Sequence, residues 1–121
     1  MEVILDTNFI ISCVKHKIDF ISELEGRGFK VLLPKEVFEE IKDLRLNSDH
    51  ETKVAVEIAL ELLKKRKVKG IGLGKKRTDE GLIEMGKKGA YIATLDATIR
   101  RIVPNKVGIS EHLDNIIVER S

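Results

Sequence analysis

At 121 residues the chain suits one domain spanning 1–121, and 42% hydrophobic beside 35% charged residues is the composition of a globular protein with a heavily charged exterior, which excludes disorder. A formal net charge of +2 does not by itself announce a polyanion partner, and a single cysteine, Cys13, excludes a disulfide framework and a thiolate zinc site. No apolar run approaches the roughly 20 residues that span a bilayer, and Glu2 and Asp6 stand where a signal peptide has basic and apolar regions, so the expected address is the cytoplasm.

Short apolar runs alternate with longer helix-period segments, the pattern of an α/β domain with a mainly parallel central sheet. The first strand is expected at residues 3–5 and a helix at 8–15, with Asp6, Thr7 and Asn8 between two apolar runs. A buried, unpaired carboxylate there costs on the order of several kcal/mol, so Asp6 either caps the helix or has a partner. A helix at 18–26 and a strand at 30–33 follow, and Pro34 fits the first turn of a helix at 35–45. At about 100° per residue its apolar stripe is Val37, Phe38, Ile41 and Leu44. Glu40 borders that stripe, Glu39 lies nearly opposite, and Glu36 and Asp43 fall on the polar side.

The helix at 51–66 repeats Val54, Ala55, Ile58, Ala59, Leu62 and Leu63 inward and turns Glu57, Glu61 and Lys65 outward, a face broad enough to continue into a dimer interface. Residues 64–77 carry Lys64, Lys65, Arg66, Lys67, Lys69, Lys75, Lys76 and Arg77 and no acid, around a strand at 68–71. On a helix at 78–88, Leu82, Ile83, Met85 and Gly86 define the buried side; Asp79 shares that sector, while Glu80 and Glu84 face solvent. A strand at 91–94 delivers Asp96, then come a helix at 97–103, a turn at Pro104 and Asn105, a strand at 107–109 and a further strand at 115–118.

Ligand sites in open parallel sheets lie beyond the carboxyl ends of the strands, where Asp6 and Asp96 belong. Each is also a proper N-cap, and Asp79 suits a first helical turn. Gathered with Glu40, these carboxylates repel one another unless a cation neutralises them, and all-oxygen ligation suits Mg²⁺ or Mn²⁺. Other chemistries fit less well. Gly70, Gly72 and Gly74 miss the dinucleotide and P-loop spacings, since Lys75 and Lys76 stand where Gly and Ser or Thr belong. His16, His50 and His112 share no spacing with a nucleophile.

Asp6-Thr7-Asn8 after the first strand, Pro34-x-x-Val37-x-x-Glu40-Ile41, Asp79 early in a later helix, and Ala93-Thr94-Leu95-Asp96 before Ile99-Arg100-Arg101 resemble the four signature blocks of the PIN domain. The likeness runs in order from residue 3 to about 109. It implies a three-layer α/β/α sandwich and a metal-dependent ribonuclease in which Asp6, Glu40, Asp79 and Asp96 hold Mg²⁺ or Mn²⁺ and a metal-activated water hydrolyses RNA. It makes Thr7, Asn8 and Thr94 the neighbours that orient those acids. Lys75, Lys76, Arg77, Arg100 and Arg101 are the expected contacts to single-stranded RNA. Glu36 and Glu39 share the helix with Glu40, so which glutamate is the second acid stays open. The blocks look closer to archaeal stand-alone members of the rRNA-processing type than to VapC-type toxins, and the Lys- and Glu-rich, Gln-free composition is archaeal-like. A toxin held by an antitoxin and a non-catalytic RNA-binding assembly protein are the alternatives.

Overall fold

The computed structural model describes residues 1–74, 77–110, 112 and 114–121. In chain order the elements are β1 (Glu2–Leu5), α1 (Thr7–Lys15), α2 (Phe20–Gly26), β2 (Lys30–Pro34), α3 (Lys35–Leu44), α4 (His50–Lys65), β3 (Lys69–Ile71), α5 (Thr78–Lys87), β4 (Tyr91–Ala93), α6 (Ala97–Ile102), β5 (Lys106–Ser110) and β6 (Asn115–Glu119). The strands form one sheet in the order β3-β2-β1-β4-β5-β6, parallel throughout except for β6, which runs antiparallel to β5. The expected α/β/α sandwich is present, with strand and helix limits within a residue or two of the sequence reading.

Residues of alternating parity go to opposite faces of a strand. Val3 and Leu5 of β1, Val31 and Leu33 of β2, and Tyr91 and Ala93 of β4 enter a core shared with α1 to α4. Ile4, Leu32 and Ile92 turn to the other face, against Leu82 of α5 and Ile99 and Val103 at α6. Covered on both sides, these strands are apolar at every buried position, which explains the uninterrupted run Val3-Ile4-Leu5. The chain leaves β1 for β2 on one side and returns from β3 to β4 on the other side of β1, and this reversal of strand order opens a crevice at the carboxyl ends of β1 and β4.

Helix α4 departs from expectation. Its buried residues are Ala55, Val56, Ala59 and Leu63, while Val54 and Ile58 are 43% and 50% exposed. The reason is its support: α4 packs on α1 and α3 instead of lying flat on a strand, so the stripe it buries is rotated and narrower. Glu84, expected to face solvent, is half-buried and pairs with Lys88 at 3.4 Å. Among the described residues, no helix is long and apolar enough to cross a membrane.

Candidate active site

Asp6 occupies the one-residue gap between β1 and α1. Its N–H donates to the Ala93 carbonyl at 2.9 Å, continuing the β1–β4 pairing past the end of β1. The carboxylate is then fixed at both oxygens. Oδ1 accepts from the Thr7 N–H at 2.8 Å, as an N-cap, and Oδ2 accepts from the Thr94 hydroxyl at 2.7 Å. Capping and site building are thus the same act at this residue.

Thr94 is wholly buried just beyond β4, and its hydroxyl oxygen also accepts from the Asp96 N–H at 3.1 Å. Asp96 in turn caps α6, its Oδ1 accepting from the Ile99 N–H at 3.0 Å. Thr7 donates its hydroxyl to Glu40 Oε1 at 2.8 Å, which ties α3 to the start of α1. Thr7 and Thr94, the expected orienting neighbours, each donate a hydroxyl to one of the acids. Asn8 lines the same cavity and, among the described residues, makes no hydrogen bond to any of the acids.

Asp6, Glu40, Asp79 and Asp96 all line one open cavity of about 610 Å³, together with Arg77 and Thr78. Burial pushes the Asp6 carboxyl above its ordinary value of 3.8; hydrogen bonds from Thr94 and Thr7 pull it down, and the charges of Asp96 and Asp79 push it up. Asp6 therefore feels two of the other acids electrostatically, although they lie 73 and 90 positions away in the chain. Among the described residues, no three carboxylate, imidazole or thiol side chains are drawn close enough to chelate an ion as they stand. Each acid is instead held by its own local bond, Asp6 to Thr94, Glu40 to Thr7, Asp96 to Ile99 and Asp79 to Glu80.

The three glutamates of α3 go to different places. Glu36, expected on the polar side, is half-buried, and both its oxygens accept from the Leu73 N–H at 3.2 Å. Glu39 pairs with Lys42 at 2.9 Å. Of the three glutamates only Glu40 lines the cavity. Asp79 is exposed, not buried as its angular sector implied, because it stands in the first turn of α5 where that face looks into the cavity before reaching the core at Leu82. Its Oδ1 accepts from the Glu80 N–H at 2.9 Å and meets Arg77 at 3.7 Å.

Asp43, read on the polar side, Leu44, read in the apolar stripe, and Asn47 also line the cavity, a position the sequence did not suggest for them. The available signal was the i, i+3 spacing of Glu40 and Asp43 on one helix, which puts them side by side. Among the expected RNA contacts, Arg77 reaches the cavity, Arg101 is exposed outside its lining, and Lys75 and Lys76 lie outside the described residues. Arg100 is a correction. Its half-buried guanidinium is engaged within the chain, with the carbonyls of Thr94 and Val107 and with Glu119.

Comparison with known proteins places this arrangement. The chain is similar to Ribonuclease VapC4 of Methanocaldococcus jannaschii, 25% identical over 114 residues that cover 89% of this chain and 87% of that one. Its fold matches the solved structure of the PIN domain endonuclease Utp24 with a TM-score of 0.74 at 22% identity, covering 99% of this chain and 92% of that chain. The family model of the PIN like domain matches residues 3–112, which takes in every acid of the cavity, and the chain belongs to that family.

Proposed function

We propose that the protein is an Mg²⁺- or Mn²⁺-dependent endoribonuclease that hydrolyses phosphodiester bonds of single-stranded RNA in the cytoplasm. The observation that carries this reading is the placing of Asp6. A buried carboxylate, fixed by two donors at the switch point of the sheet, with its pKa raised first by burial and further by the charges of Asp96 and Asp79, is relieved by a cation in the cavity they share. Asp6, Glu40, Asp79 and Asp96 would hold that cation, and their oxygen-only donor set suits a hard divalent ion. Such an ion supplies Lewis acidity to the phosphodiester and makes water a nucleophile near neutral pH. The chain's own part is orientation and charge: Thr94 and Thr7 hold Asp6 and Glu40, and Arg77 offers a guanidinium to a phosphate at the cavity mouth.

Processing of ribosomal or other RNA is the role this reading favours. A toxin controlled by an antitoxin is supported by the likeness to a VapC ribonuclease. An adjacent small gene whose product silences cleavage would decide for the toxin. A homodimer through the exposed Val54 and Ile58 of α4 completes the proposal, and light scattering of purified protein tests it.

The experiment for the activity is cleavage of single-stranded RNA with Mg²⁺ or Mn²⁺ by the wild type, Asp6→Asn and Asp96→Asn. Cleavage is expected only in the wild type and only without EDTA. Activity that survives EDTA or either substitution overturns the mechanism, and RNA binding without cleavage by the wild type supports the assembly-protein reading.

A further inference from the structure

We infer that Arg100 and Glu119 are a positioning pair for the acid site, acting on Asp6 and Asp96 through Thr94; the inference rests on the proposed function for its catalytic consequence. Arg100 Nη1 donates to the Thr94 carbonyl at 3.0 Å and to the Val107 carbonyl at 3.3 Å, and Nη2 donates to Glu119 Oε1 at 2.7 Å. The Val107 carbonyl also accepts the Thr94 N–H at 3.1 Å, so the guanidinium clamps the end of β4 to β5 where their ladder gives out.

The slot for it is built into the sheet. A Cβ at Gly108 would stand 2.7 Å from Arg100 Nη1 and 3.1 Å from Cζ, so the guanidinium fits because position 108 has no side chain. Glu119, paired in register with Lys106 at the end of β6, takes the other arm of the fork. Only a planar guanidinium spans two carbonyls and a carboxylate from one side chain; a lysine ammonium offers a point charge on a flexible stem.

What Arg100 grips is the peptide carrying both acids' anchor. Thr94 donates its hydroxyl to Asp6 and accepts the Asp96 N–H on the same oxygen. Holding the Thr94 carbonyl sets the direction of its side chain and of the following turn, and so sets two acids together. The last strand thereby reaches the cavity through Glu119, Arg100 and Thr94 without lining it.

The test compares Arg100→Lys, Glu119→Gln and Gly108→Ala with the wild type, with Val56→Ala in α4 as a control of comparable thermal destabilisation. The readouts are kcat and KM on single-stranded RNA, and the side-chain rotamer of Thr94 from methyl three-bond couplings in the metal-free protein. Arg100→Lys and Gly108→Ala are expected to lower kcat about tenfold with KM within about twofold, as small misplacement of reacting groups does. The Thr94 methyl should show rotamer averaging in both, the control should keep kcat, and Arg100→Lys with Glu119→Gln together should be no worse than Arg100→Lys alone. A raised KM at unchanged kcat makes Arg100 an RNA contact and overturns the inference, as does an unperturbed Thr94 methyl or an equal loss in the control. If the wild type cleaves no RNA, the proposed function fails, and the Thr94 couplings alone decide the positioning role.

Discussion

Replacing Thr94 by valine keeps the side-chain shape and deletes a hydroxyl that serves two acids. The bond to ionised Asp6 is charge-assisted and buried, worth about 1.5–3 kcal/mol, and the bond from the Asp96 N–H adds about 0.5–1 kcal/mol. The sum, about 2–4 kcal/mol at neutral pH, corresponds to a fall in Tm of roughly 8–16 °C for a chain of this size, at roughly 4 °C per kcal/mol. The pH dependence is the sharper signature. Asp6 has a folded-state pKa above 3.8, so its contribution to stability is full below that value and is lost as pH rises through the folded pKa. The Thr94 hydrogen bond opposes that rise, and without it the folded pKa climbs further. The deficit of the variant is therefore largest at neutral pH and shrinks as Asp6 takes up its proton, leaving about 1 kcal/mol for a neutral bond. Thermal melts in EDTA at pH 7 and pH 4 measure it. An equal deficit at both pH values, or none at pH 7, refutes the reasoning.

Asp6→Asn, melted in EDTA at pH 7, is expected to match or exceed the wild-type Tm, since it removes a buried charge that Asp96 and Asp79 repel; a clear fall would make capping of α1 the dominant role. Gly86→Ala should cost about 1–3 kcal/mol by overpacking, because its Cβ would stand 2.5 Å from Val103 Cγ1 and 3.1 Å from Ile92 Cγ1; an unchanged urea midpoint would show that the α5 to α6 contact yields freely. Burial, with the charge of Glu23 behind it, pushes the Cys13 thiol up to about 12, so an aromatic disulfide reagent at pH 8 should label it only after denaturation. Rapid labelling of the native protein would place Cys13 outside the core.

The sheet and most helix limits were legible because buried parallel strands leave runs such as Val3-Ile4-Leu5 and Tyr91-Ile92-Ala93 that few other structures need. Asp6 and Asp96 were legible for the same reason: each interrupts or ends such a run. Helix-face arithmetic served less well. It put Glu40 at the edge of the buried stripe, where the structure has it lining the cavity, but placed Glu36 on the polar side, whereas Glu36 is half-buried and accepts from the Leu73 N–H. It also misjudged Val54 and Ile58, since periodicity reports an apolar face without saying whether a strand or two helices will cover it. Arg100 was beyond reach from sequence, because its partners Val107, Gly108 and Glu119 meet it only once β5 and β6 are in place.

The central position of β1 has a consequence for when the acid-lined cavity is assembled. The first strand made during synthesis finds one neighbour, β2, some 28 residues later, but its other neighbour pairs Val3 with Tyr91. Until that long loop closes, Asp6 has neither the Ala93 carbonyl for its N–H nor the Thr94 hydroxyl for its carboxylate. Closure over such a separation is slow compared with helix formation. In a nascent chain these carboxylates therefore stand apart, and the cavity they line is complete only with the strand that brings Thr94 and Asp96.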